Sequence, residues 1–149
     1  MKPPILLVED NSSDEKLTLL AFRQHAYGHD VVVLRDGADA LDYLFASGPY
    51  ADRDPAELPA MVLLDLKLPR IGGLEVLRRI RAAERTRFLP VVVLTASREE
   101  RDVVRSYQLG ANAYVRKPLD FTDFVEAARA IGTFWLLLNE PATGQRGAP

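Results

Sequence analysis

Four short apolar runs that each end on a polar residue constrain this chain more than any other feature of its sequence. The runs cover residues 5–8, 61–64, 91–94 and 113–116. Glu9 and Asp10 follow the first run, Asp65 the second, Thr95 the third and Lys117 the fourth. If the runs are parallel strands, their carboxyl ends lie along one edge of one sheet, where open parallel sheets bind ligands. Three carboxylates, a hydroxyl and an amine are therefore predicted to converge there.

The rest of the chain alternates apolar runs with helical patterns, as βαβ units do, and residues 31–34 supply a fifth run. Because crossovers between parallel strands are nearly always right-handed, this pattern predicts an α/β fold. The expected architecture is a doubly wound, five-stranded parallel sheet with five helices on its two faces. The first helix is predicted from Ser12 or Ser13 to Gly28, the second over 38–47 and the third around 74–83. The fourth is predicted from a capping box of Ser97 and Glu100 to Gly110, and the fifth from the cap Asp120 onward.

Composition narrows the functional classes. The 149 residues, 48% of them hydrophobic, suit one domain, which we expect over 1–138, with a flexible tail over 139–149. A net charge of -2 provides no basic surface for nucleic acid. The absence of cysteine excludes disulfides, thiolate zinc sites and cysteine nucleophiles. With no apolar stretch of about 18 residues, no membrane segment is indicated, and we expect a cytoplasmic protein.

The polar residues at the predicted edge suit phosphoryl chemistry. Glu9 and Asp10 can hold a hard divalent cation, although an acidic pair alone is more often a solvated turn. Close carboxylates repel one another by about 4 kcal/mol per pair at an effective dielectric near 20, so Mg²⁺ and Lys117 are the expected compensators. An ionised Asp65 can attack phosphorus and form an acyl phosphate. Thr95 can donate its hydroxyl to a phosphoryl oxygen, or it can simply close a strand.

The dipeptide Lys117–Pro118 permits a cis peptide bond at a cost of about 0.5 to 1 kcal/mol. A cis turn would aim the Lys117 amine back at the site, so the sequence predicts a cis bond at this position.

In order, Glu9–Asp10, Asp65, Thr95–Ala96 and Lys117–Pro118 resemble the motifs of the receiver domain of two-component response regulators. The resemblance covers about residues 4–133 and implies the flavodoxin-like receiver fold, with strand order 2-1-3-4-5. It implies that Asp65 is the phosphoacceptor and that Lys117 contacts the phosphoryl group. The metal ligands would be Glu9, Asp10, Asp65 and the backbone carbonyl of Lys67.

The resemblance also implies a switch in which Thr95 is drawn to the phosphate and Tyr114 swings inward. Tyr114 can equally be an ordinary half-buried strand residue. Many members of the family carry a neutral side chain where this chain has Lys67, so its amine either shields the acyl phosphate from water or points to solvent. Such a protein would not be an enzyme acting on a separate substrate, but would phosphorylate and dephosphorylate itself at Asp65.

The last helix carries two apolar stripes. One, predicted to pack on the sheet, consists of Phe121, Phe124, Val125, Ala128, Gly132, Trp135 and Leu136. The other, predicted to form a homodimer interface, consists of Ala127, Ala130, Phe134, Leu137 and Leu138. The alternative is that the terminal segment folds back over its own core.

The long loop at 48–59 and the apolar end of the last helix resemble those of single-domain regulators that serve phytochrome-type histidine kinases. The resemblance therefore implies a histidine kinase as partner, with a bacteriophytochrome as the candidate. Three other functions stay open. The first is a phosphorylation-independent adaptor with the same fold. The second is a phosphatase of the haloacid dehalogenase type, which would need an acid where Lys67 stands. The third is a flavin or nucleotide binder, which would need a phosphate-binding loop after residue 8.

Overall fold

Five parallel strands form one sheet in a computed structural model that describes residues 2–142, with Gln24 described by its backbone alone. The strands are β1 (Ile5–Val8), β2 (Val31–Leu34), β3 (Met61–Leu64), β4 (Val91–Thr95) and β5 (Ala113–Arg116). Their order in the sheet is β2-β1-β3-β4-β5. The predicted fold class and strand order are confirmed.

Five α-helices alternate with the strands within the described residues. They are α1 (Ser12–His25), α2 (Gly37–Phe45), α3 (Gly73–Ala82), α4 (Glu100–Gln108) and α5 (Phe121–Gly132). A 3₁₀ turn, Gly48–Tyr50, begins the long loop before β3, and a π-helical turn, Thr133–Leu138, extends α5. No helix of residues 2–142 combines the length and the apolar character that a membrane span needs.

The sheet has a separate hydrophobic core on each face, because alternate strand residues point to opposite sides. Val8, Val62 and Val93 pack with residues of α2 and α3 in one core. Leu7 and Leu63 pack with residues of α1 and α5 in the other. Both faces are therefore covered, which explains why the central strands are continuously apolar.

Strand register brings the polar residues to one edge. Val8 lies opposite Leu64 in the parallel pair β1–β3, so Glu9 and Asp65 leave the sheet side by side. The amide of Asp65 donates to the carbonyl of Val8 at 3.1 Å. On the other side, the amide of Lys117 donates to the carbonyl of Thr95 at 2.8 Å.

Two predicted helix caps are wrong, although α1 begins at Ser12 as predicted. Asn11, rather than Ser12 or Ser13, caps α1, because its side chain accepts a hydrogen bond from the amide of Asp14. The capping box before α4 does not form, because the Ser97 hydroxyl donates to the Asp102 carboxylate at 2.5 Å instead.

Other predicted ends differ by a few residues. The cap Asp120 is confirmed, since its side chain accepts from the amide of Asp123. Helix α1 ends at His25, with Gly28 (φ 88°) in the turn beyond it, and α4 ends at Gln108, two residues before Gly110 (φ 101°).

The two stripes of the last helix are largely separated as predicted. Phe124, Ala128 and Leu136 are buried, whereas Phe134 is 48% and Leu138 is 66% exposed. Phe121 is an exception: it is 59% exposed, because it is the first residue of α5, next to the loop that leaves the sheet. The structure describes the predicted tail as far as Ala142, and residues 143–149 lie outside the described part.

Gly37, the first residue of α2, is in tight contact with the loop after Asp65. A Cβ atom at Gly37 would lie 1.8 Å from the carbonyl oxygen of Ile71, whereas one at Gly72 would meet nothing nearer than 3.7 Å. We expect Gly37→Ala to lower the free energy of unfolding by about 2 kcal/mol or more, since backbone must move to admit the methyl group. Gly72→Ala is the matched control and should change it by less than about 0.5 kcal/mol. Urea unfolding of both variants checks this, and equal stabilities would contradict it.

Candidate functional site

Asp65 lies at the centre of the polar edge, buried directly after β3. It is 6% exposed, and each of its carboxylate oxygens has a side-chain donor. The Thr95 hydroxyl donates to Oδ1 at 2.7 Å, and the Lys117 amine donates to Oδ2 at 2.8 Å. The amide of Lys67 lies 3.3 Å from Oδ1. The sequence-predicted residues Asp65, Thr95 and Lys117 are therefore in direct contact.

The Lys117 amine links three carboxylates. Its Nζ lies 2.8 Å from Glu9 Oε1, 2.8 Å from Asp65 Oδ2 and 2.7 Å from Asp14 Oδ2. Charge-assisted bonds of this length are the strong class of hydrogen bond. Asp14 was missed by the sequence reasoning. The available signal was its place in the first turn of α1, four residues after Asp10, on the helix that begins at this edge.

Glu9, Asp10 and Asp65 can hold a metal ion. One carboxylate oxygen from each lies within 4.8 Å of the others, with Glu9 and Asp65 buried and Asp10 exposed. Three oxygen donors open to solvent on one side fit a hard cation such as Mg²⁺, which usually keeps several of its waters. The fourth predicted ligand, the carbonyl of Lys67, stays a prediction. The Lys67 side chain is exposed.

The ionisation of the site follows from burial and from Lys117. Burial raises the pKa of Glu9 to about 7, although the hydrogen bond from Lys117 opposes this. Burial also acts against charge on Asp65, but the hydrogen bond and the positive charge of Lys117 outweigh it, so the pKa of Asp65 lies below its usual value. Burial disfavours the ammonium as well, yet Asp14, Asp65 and Glu9 hold the pKa of Lys117 above normal. Near neutral pH, Asp65 is therefore ionised and Lys117 is charged.

The predicted cis bond between Lys117 and Pro118 is wrong, because the peptide is trans. The amine needs no such turn to reach the site. Its backbone amide donates to Thr95 at the end of β4, and its side chain reaches Asp65, which follows β3 on the other side of β4. The more stable trans isomer is therefore kept.

Tyr114 lies on β5, which is separated by β4 from the strand that ends at Asp65. Its hydroxyl donates to the carbonyl of Ser97 at 3.1 Å, and its ring packs at the margin of the core. Ser97 follows Thr95 by two residues, so the tyrosine is bonded to the loop that begins at Thr95. That contact connects Tyr114 to the site, while its predicted movement stays a prediction.

Comparison with known proteins agrees with this geometry. Residues 5–129 match the family described as the response regulator receiver domain. Response regulator Rcp1 of Synechocystis sp. is 38% identical over 136 residues, which make up 90% of this chain and 90% of Rcp1. The crystal structure of its Mn(2+)-bound form superposes with a TM-score of 0.87 at 36% identity, covering 93% of this chain and 98% of that one.

Two further solved structures are similar over nearly their whole length. The bacteriophytochrome response regulator AtBRR is 54% identical, with a TM-score of 0.73, and the match covers 94% of this chain and 99% of that one. The phosphorylated cyanobacterial phytochrome response regulator RcpA is 36% identical, with a TM-score of 0.89, over 95% of this chain and 99% of that one.

The raised pKa of Glu9 predicts how stability depends on pH without metal. Because the folded protein binds the Glu9 proton more tightly than the unfolded chain, this contribution is full below the unfolded pKa of 4.5 and is lost as pH rises through about 7. Glu9→Gln removes the ionisation and keeps the side-chain size. We expect the free energy of unfolding of Glu9→Gln, taken relative to that of the wild type, to be about 1–3 kcal/mol higher at pH 8 than at pH 5. Urea unfolding in a chelating buffer at both pH values measures this, and a difference that does not change with pH would contradict it.

Proposed function

The chain belongs to the response regulator receiver domain family of two-component signalling, and from that premise we propose that Asp65 accepts a phosphoryl group from a histidine kinase with Mg²⁺ bound beside it. The observation that carries the proposal is the environment of Asp65. It is an ionised, buried carboxylate with a hydroxyl on one oxygen and an ammonium on the other. Both donors can turn to the oxygens of a phosphoryl group on Asp65.

In the proposed reaction, one oxygen of Asp65 attacks the phosphorus of a phosphohistidine. The new P–O bond forms as the P–N bond breaks, and the electron pair of that bond returns to the imidazole nitrogen. Lys117 balances charge on the transferred group, and the Thr95 hydroxyl donates to another of its oxygens. Glu9, Asp10, Asp65 and the carbonyl of Lys67 would hold Mg²⁺, which when bound neutralises negative charge at the phosphoryl oxygens.

Phosphorylation then acts as a conformational switch. When the Thr95 hydroxyl leaves Asp65 for the phosphoryl group, the loop that runs from Thr95 through Ser97 to α4 must shift. Tyr114, which is hydrogen-bonded to the Ser97 carbonyl, loses that position and swings inward. The signal leaves the domain as a changed surface around α4 and β5, recognised by another protein.

The reaction is self-modification rather than turnover of a separate substrate. In this proposal Asp65 is itself the group that reacts, and Lys67, whose side chain is exposed, stands where a haloacid dehalogenase phosphatase has its second acid. Asp65 is therefore expected to gain and lose its own phosphoryl group, with no phosphatase cycle on small molecules.

The donor we propose is a histidine kinase of the phytochrome type. The support comes from relatives: AtBRR carries the name of a bacteriophytochrome response regulator and RcpA that of a cyanobacterial phytochrome response regulator. Both matches extend over more than nine-tenths of this chain.

The first test is phosphorylation by a small donor. Incubation with acetyl phosphate and Mg²⁺ is expected to add the mass of one phosphoryl group, as intact-mass spectrometry would detect. The adduct should be absent in Asp65→Asn and in wild type treated with a chelator. Phosphotransfer from a phosphorylated bacteriophytochrome kinase should give the same adduct. No adduct from either donor would reject phosphorylation and favour an adaptor that uses the fold alone.

We also propose that the protein forms a homodimer through the exposed stripe of the last helix. Phe134 and Leu138 line a shallow groove of about 360 Å³ together with Ala130. Glu126 and Arg129, an ion pair one turn apart, border the same groove. An apolar centre with opposite charges at its rim is self-complementary, as a two-fold interface must be.

Charge placed in this groove should separate the dimer. Phe134→Asp is expected to give a monomer in analytical ultracentrifugation, because burying a carboxylate opposite its own copy is unfavourable. Val104→Asp on α4 is the matched control, since Val104 and Phe134 are each 48% exposed. If only Val104→Asp dissociates the dimer, the interface lies on α4 instead. If the wild type is already a monomer, the proposed dimer is rejected.

A further inference from the structure

Lys117 has one partner, Asp14, that the proposed chemistry leaves unused. An ammonium has three N–H donors, and all three are engaged, by Glu9, Asp14 and Asp65. The bond to Asp14 is as short as the other two, at 2.7 Å. The Asp14 side chain is 23% exposed, so this ion pair is largely shielded from solvent.

The other two partners have competing roles in the reaction. Glu9 and Asp65 belong to the group of carboxylates that can hold a metal ion, and Asp14 does not. Asp65 also gives up a carboxylate oxygen when it becomes an acyl phosphate. Neither metal binding nor phosphorylation engages Asp14, so its bond to Lys117 can persist through both.

The position of Asp14 is fixed by the start of α1. Its amide donates to the side chain of the cap Asn11 at 2.9 Å, and its carbonyl accepts from the Thr18 hydroxyl at 2.8 Å. A carboxylate in the first helical turn is also favoured by the free amides there. The helix therefore presents Asp14 to Lys117 from a fixed backbone.

We propose that Asp14 is a positioning residue for phosphorylation, which holds the Lys117 amine at the site while Asp65 receives the phosphoryl group. The inference rests on the proposed function. Without Asp14, the amine keeps only partners that the metal ion and the phosphoryl group also engage. It would then face the transferred group for a smaller fraction of the time.

Phosphorylation rates test this role in four variants. With acetyl phosphate and saturating Mg²⁺, Asp14→Ala and Asp14→Asn are expected to react roughly tenfold more slowly, the effect of losing one charge-assisted bond. Asp14→Glu should restore the rate to within about threefold. Glu15→Gln is the control, because it removes the same charge from the next residue, which pairs with Arg35 outside the site. Wild-type rates in both Asp14→Ala and Asp14→Asn would overturn the inference and leave the proposed function standing.

A second measurement needs neither metal nor phosphate. Acetylation of Lys117 by a small acylating reagent, followed by peptide mass spectrometry, can be compared with that of the exposed Lys67 in the same sample. We expect Lys117 to react several-fold faster in Asp14→Asn, because its amine is released, and at the wild-type rate in Asp14→Glu. If the reactivity of Lys117 is unchanged in Asp14→Asn, the inference that Asp14 holds the Lys117 amine is wrong. If the wild type accepts no phosphoryl group, the proposed function fails, and acetylation still decides whether Asp14 holds the amine.

Discussion

The ion cluster around Lys117 is the interaction on which the rest of the site depends. Three carboxylates converge on one ammonium in a largely buried position. Without the ammonium, their mutual repulsion and their loss of hydration would be uncompensated, and breaking a buried pair of this kind commonly costs about 3–5 kcal/mol. The amine thus makes it possible for Asp65 to stay ionised in the interior. A carboxylate that is charged but shielded from bulk water suits the phosphoryl transfer proposed above.

The sheet places this cluster through its register rather than through its loops. Since Val8 is level with Leu64, and Thr95 with Arg116, Glu9 and Asp65 each emerge one position beyond a paired apolar residue, and Lys117 emerges one position beyond the partner of Thr95. A slip of one residue in any strand would turn its side chains to the opposite face. The two hydrophobic cores, one on each face, oppose such a slip, so the packing of the interior secures the geometry of the edge.

The features of the fold and the site that could be predicted from the sequence were those determined by short, local patterns of residues. Apolar runs identified all five strands, and the residues that end them identified Asp65, Thr95 and Lys117. Contacts between residues that are far apart in the sequence were harder to predict. Asp14 lies 103 positions from Lys117, so nothing local pairs them. The cap at Asn11 and the bond from Ser97 to Asp102 also depended on which of several capable side chains was nearest. The isomer of the bond before Pro118 could not be predicted either, because a Lys–Pro sequence is compatible with both isomers.

The π-helical turn Thr133–Leu138 has a consequence for how the surface of the molecule can vary. A π-helical turn contains an extra residue compared with an α-helix, and each α-helical residue rotates the chain by about 100°. At this turn, Leu136 is buried while Phe134, Leu137 and Leu138 face outward. Loss or gain of a single residue here would rotate the end of the helix by about 100° and change which of its residues pack beside the sheet. The direction of the exposed apolar surface can therefore diverge between related chains through length changes alone, while the edge that carries Asp65 keeps its place in the sheet.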